Sequence, residues 1–134
     1  MRGDGMKKEL INQLLALPGE TINLVKGEFL FHEGDIAEHF YIVLSGRLSI
    51  KKFEASGHIF ALRLVGPQNV MGEIPLYEEK QRTYVFNAIA RENSSVYAIR
   101  YSVLEGAIAK DHSLAIAMMK IYTLHMRRQQ AKYR

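Results

Sequence analysis

The chain has 134 residues, 48% apolar and 24% charged, with no cysteine and a formal net charge of +4. That length supports one domain with its own core, and the missing thiols exclude Cys-ligated zinc, iron–sulfur clusters, a disulfide framework and a cysteine nucleophile. No apolar run reaches membrane-spanning length and the N-terminus lacks the apolar stretch of a signal peptide, so the expected setting is cytoplasmic, away from membranes.

Residues 6–17, MKKELINQLLAL, carry Leu10, Leu14, Leu15 and Leu17 at near-helical spacing. Pro18 and Gly19 then stop the helix, which makes residues 1–18 a helical arm packed on the main body. From Glu20 to about Arg100 the period drops to two, and residues 19–100 are expected to form a β-roll. Strands are predicted at Thr21–Val25, Phe29–Phe31, His39–Ser45, Arg47–Lys51, Ile59–Val65, Tyr84–Ala90 and Ser95–Arg100. Turn residues separate them: Lys26-Gly27-Glu28, Glu33-Gly34-Asp35, Ser45-Gly46, Ser56-Gly57, Gly66-Pro67 and Arg91-Glu92-Asn93. Gly46 is expected to supply a positive φ in its hairpin. Many short strands between regular turns point to an antiparallel sandwich or roll.

Within this region residues 72–84, GEIPLYEEKQRTY, have the makings of an anion pocket. A short helical turn with unpaired backbone N–H groups, followed by Arg82 and Thr83, is what a phosphate needs. Glu73 on the other side can accept from sugar hydroxyls; the plain alternative is that Glu73 and Arg82 pair with each other.

Residues 101–134 are helical again. A short helix is predicted over Ser102–Ala109 and a longer one from His112 to about Ala131, with Asp111 as its N-cap. The long helix carries two apolar stripes. Leu114, Ala117, Met118, Ile121 and Leu124 form one; Ala115, Met119, Tyr122 and Met126 form the other. One stripe covers the roll and the other needs a partner, most simply a parallel copy of itself. The first stripe is assigned to that homodimer interface. Residues 110–134 carry +5 and residues 1–109 carry −1, so the basic excess belongs to this end.

Lys26-Gly27-Glu28, Glu33-Gly34-Asp35, FYIVLSG at 40–46, Gly66, Gly72-Glu73 and Arg82-Thr83 occur in an order and spacing that resembles cyclic-nucleotide-binding domains, and in particular the effector domain of Crp/Fnr-type bacterial transcription regulators. The resemblance runs from about Glu20 to the C-terminus. It implies a mainly β fold: an eight-stranded double-stranded β-helix, or jelly-roll, with an N-terminal helix, a short cassette helix and a long C-terminal dimerisation helix. It implies a sensor rather than an enzyme. The effector it implies is a cyclic nucleotide, cAMP or cGMP, with no other cofactor required. By position, Glu73 would hold the ribose 2′-hydroxyl, Arg82 and Thr83 the cyclic phosphate, and Gly72 with the amide of Ile74 the turn between them. Gln129 and Gln130 are the polar residues near the level where the family's long helix closes over the base. DNA would be reached through a winged helix-turn-helix domain that in the family follows this helix.

Two positions depart from the family pattern. Where a small residue usually offers its N–H to the phosphate, this chain has Pro75, which has none. One amide lost to a charged ligand removes about 1.5–3 kcal/mol, roughly ten- to a hundredfold in affinity. After Thr83 stands Tyr84 in place of a small residue, and its ring either crowds the pocket or points away. The same regulatory fold acting on another effector or a protein partner is therefore the main alternative. A cupin-like metalloenzyme is remote, because His32, His39, His58, His112 and His125 are scattered and no His-x-His pair exists.

Overall fold

The computed structural model describes the backbone of residues 2–73, 75 and 82–132, and side chains between residues 8 and 123 of that set. Helix α1 spans Arg2–Leu15, four residues earlier than the predicted start, and buries Leu10, Ile11 and Leu14. It ends before Pro18, and the Tyr97 hydroxyl donates to the Leu17 carbonyl at 2.6 Å, tying the arm to the roll.

The strands are β1 (Glu20–Leu24), β2 (Phe29–Phe31), β3 (His39–Ser45), β4 (Leu48–Phe53), β5 (Ile59–Val65), β6 (Val70–Met71), β7 (Asn87–Ala90) and β8 (Ser94–Arg100). They form two antiparallel four-stranded sheets, β1-β8-β3-β6 and β2-β7-β4-β5. The first strand pairs with the last, Leu24 opposite Ser94, and the second with the seventh, Phe29 opposite Ile89. This is the expected jelly-roll, in which successive strands pass between sheets and close inward. The core between the sheets includes Phe40, Ile42, Leu48, Val65, Met71, Val96 and Ile99, each almost wholly buried.

Two strand predictions change. β6 is two residues long and went unpredicted; it pairs with Tyr41 and Ile42 of β3. The predicted strand Tyr84–Ala90 shrinks to Asn87–Ala90, because Tyr84 bonds elsewhere: its N–H donates to the Asp35 carbonyl at 3.0 Å and its carbonyl accepts from Gly34 at 2.8 Å. The β3–β4 turn has Gly46 at φ +80° as expected, but it is not the predicted hairpin: β3 and β4 lie in different sheets, and the turn carries the chain from one to the other. A Cβ there would stand 2.1 Å from Ser94 Oγ, so glycine is required on two counts.

Helix α2 (Tyr101–Lys110) packs on β8 and β3 and buries Tyr101 and Leu104. Helix α3 (His112–Lys132) follows after one residue. That residue, Asp111, is the expected cap: its carboxylate accepts the Leu114 N–H at 3.2 Å.

The stripe assigned to the dimer interface is turned inward. Leu114 and Met118 are 3% and 1% exposed in the chain's own core, and Ala117 and Ile121 pack partly buried against it; the side chain of Leu124 lies outside the described residues. The outward residues are Ile116 and Met119, at 40% and 63% exposure. Helical periodicity names the faces of α3 without saying which meets the body; the one-residue joint at Asp111 decides it by holding the first turns of α3 against α2.

Candidate ligand-binding site

The two ends of the 72–84 stretch are held by different parts of the roll. Gly72 follows β6 at φ +80°, and a Cβ there would lie 3.1 Å from the His39 carbonyl and 3.3 Å from the Tyr101 hydroxyl. Glu73 is 3% exposed, with Oε1 3.5 Å from Arg63 Nη2. Arg63 lies on β5 and also donates to the Val70 carbonyl at 3.3 Å, so it steadies both the carboxylate and the strand before it. At the far end Arg82 and Thr83 lie beside the 34–37 loop: the Ala37 N–H donates to the Arg82 carbonyl at 2.9 Å, and Thr83 bridges Ile36.

Among the described residues, Glu73 has Arg63 and Arg82 has Glu105 as ion-pair partner. The Arg82 guanidinium makes a bidentate pair with Glu105 of α2, Nη1 to Oε1 at 2.8 Å and Nη2 to Oε2 at 2.9 Å. This fork geometry is the one arginine uses for carboxylates and phosphates alike. The donated hydrogen bonds hold the Glu105 carboxyl below its ordinary range. Between the two ends stands Tyr101, first residue of α2. Its hydroxyl donates to the Gly72 carbonyl, and the Arg82 guanidinium carbon lies 5.4 Å from its ring centroid. Burial pushes this phenol far above its usual value, with the nearby Tyr84 and Tyr41 adding to the effect.

Tyr84 points into the core. Its ring stacks on Phe31 at 3.9 Å, and its hydroxyl donates to the His39 carbonyl at 2.9 Å and lies 3.2 Å from the Tyr41 hydroxyl. Phe31 belongs to one sheet and Tyr41 to the other, so Tyr84 fills the gap between sheets beside the cassette. Pro75 is fully buried, with its ring directed inward. Ile74 and the rest of the expected cassette helix lie outside the described residues, as do the side chains of Gln129 and Gln130 on α3. Among the described residues no three His, Asp or Glu side chains gather as metal ligands, and no helix is long and apolar enough to cross a membrane.

Residues 21–111 match the family model of the cyclic nucleotide-binding domain. The chain belongs to that family. The Anaerobic regulatory protein of Bacillus subtilis is 32% identical over 109 residues, 81% of this chain and 45% of that protein. The Cyclic AMP receptor protein of Thermus thermophilus is 30% identical over 74 residues, 55% of this chain and 33% of that protein. The chain thus spans less than half the length of the curated relatives it matches. Among solved structures, a transcriptional regulator from Thermotoga maritima superimposes with a TM-score of 0.79 at 25% identity, covering 92% of this chain and 94% of that one.

In this cyclic nucleotide-binding domain, sequence reasoning named Gly72, Glu73, Arg82 and Thr83 as candidates and did not name Arg63, Tyr101 and Glu105, which the structure places against them. The last two stand four apart on α2, the spacing that puts both on one face. An acid and an aromatic at that spacing on a helix following the last strand were the available signal. Arg63 interrupts an apolar strand, which was the other.

Proposed function

We propose that the domain is the ligand-sensing part of a cytoplasmic Crp/Fnr-type transcription regulator and takes a cyclic nucleotide, cAMP or cGMP, between Glu73 and Arg82–Thr83. The observation that carries the reading is a carboxylate 3% exposed next to a positive-φ glycine, at the start of the cassette of a cyclic nucleotide-binding domain. A buried carboxylate beside that turn presents acceptor oxygens to the site, and a ribose hydroxyl is a suitable donor. The guanidinium of Arg82 and the hydroxyl of Thr83 would take the phosphate, one as charge and fork, the other as a single donor. The regulator role is supported by the likeness to the Bacillus and Thermus proteins. DNA contact belongs to a helix-turn-helix domain beyond this one.

Signalling then runs through a homodimer formed on the outward face of α3, around Ile116 and Met119. The effector must bind one dimer state better than the other, because only differential affinity shifts the equilibrium.

Calorimetry with cAMP and cGMP tests the reading, with Arg82→Ala beside the parent chain. The parent should bind and the variant should lose about ten- to a hundredfold, the worth of a charge-assisted contact, with an unchanged unfolding curve. Undiminished affinity in Arg82→Ala would move the site elsewhere. A second reading, the same role with a different effector, is favoured by Tyr84 filling the core and by Pro75 lacking an N–H. No heat with either nucleotide at millimolar concentration would select it.

A further inference from the structure

Tyr101 and Glu105 occupy one face of the first turns of α2 and each holds one end of the cassette. Tyr101 holds Gly72 through its carbonyl; Glu105 holds Arg82 through both oxygens. The main chain of Arg82 is pinned independently by Ala37, so the side chain can change partner without moving the strand-like segment beneath it. The two members of the pair differ in exposure: Arg82 is 23% exposed and Glu105 47%. The carboxylate is thus the partner better able to turn to water, while the guanidinium stays over the Tyr101 ring.

We propose that Glu105 is a built-in competitor for the anionic group of the effector, occupying Arg82 until a phosphate replaces it and so making pocket occupancy release α2 from the cassette. The inference rests on the functional reading above and assigns the regulation of that same site. The exchange is balanced in charge. A cyclic phosphodiester carries one negative charge, as does the carboxylate it displaces, and the guanidinium keeps an equivalent fork of acceptors. Released Glu105 faces solvent. Of the two ties just described, α2 then keeps only that of Tyr101. Because α2 passes into α3 through Asp111 alone, a small rotation of α2 reaches the outward face of α3 with no flexible segment to absorb it.

Two measurements on the parent chain and on Glu105→Gln test this, with cAMP and cGMP as probes. A half-exposed glutamine should leave folding intact, which thermal unfolding verifies. Calorimetry should show Glu105→Gln binding about two- to fivefold more tightly, the range expected for losing one exposed competing ion pair. Hydrogen exchange at the amides of residues 101–106 should speed up on ligand binding in the parent and be already fast in the unliganded variant. Equal or weaker binding by Glu105→Gln, with the parent binding normally, overturns the competitor role and leaves the functional reading standing. A silent parent with a binding variant supports both. Silence from both chains removes the functional reading and the competitor with it.

Discussion

Tyr84 is where a side chain out of family pattern became structure. It sits in the core with its ring on Phe31 and its hydroxyl shared with His39 and Tyr41. A Tyr84→Phe change keeps the stack and removes the hydroxyl, leaving buried partners without it. It should cost about 1–3 kcal/mol in chemical denaturation, with the same denaturant dependence as the parent; a neutral result would mean that water serves His39 equally well. At this scale the sequence was half legible. Glu73 and Arg82 could be named because they follow a turn in a recognisable order. Their partners could not. Glu105 is 23 residues beyond Arg82, and its neighbours read only as a helix surface. Whether Tyr84 would crowd the pocket or turn away depended on the opposite sheet, which no local pattern reports.

At the scale of elements, strands with aromatic and β-branched runs were found nearly to the residue, β3 and β5 among them. β6 was not, since two residues give no alternation to detect. Tyr84–Phe86 looked like strand by composition, but Tyr84 spends both backbone hydrogen bonds on the 34–35 loop. For α3 the stripe assigned to the dimer turns to the core as far as it is described, while of the second stripe Met119 is the strongly exposed residue, joined by Ile116, which belonged to neither stripe. That placement sharpens the dimer prediction. If α3 self-associates, it does so through Ile116 and Met119. The parent should then sediment as a dimer at tens of micromolar, and Met119→Glu should weaken association by more than about tenfold, because a charge without a partner is expensive in a desolvated contact. The helical signal should be unchanged. A parent that stays monomeric over that range would remove the interface.

The molecule as a whole concentrates phenols in one place. Tyr41, Tyr84 and Tyr101 are each held protonated above the ordinary phenol value, mainly by burial. A group whose folded pKa is raised stabilises the fold fully below its unfolded value, about 10, and that stability drains away as pH climbs past it. Tyrosinate absorbance in an alkaline titration should therefore include a late step from these three residues that coincides with loss of the far-UV signal. Ionisation of all tyrosines with the fold retained would contradict it.

The pairing of β1 with β8 has a consequence for how the chain is made. Leu17 and Tyr97, which bond across that junction, are 80 residues apart in sequence. At a synthesis rate of about 5–20 residues per second the early segment waits roughly 4–16 s for its partner to exist. β8 lies between β1 and β3, so the middle of one sheet is the last strand to appear. The local hairpin β4–β5 can form during synthesis, and β6 can join β3 once the chain has returned from it, but the roll can close only after β8 arrives. The order of birth and the order of completion thus run in opposite directions, and the N-terminal strands are among the last to be buried.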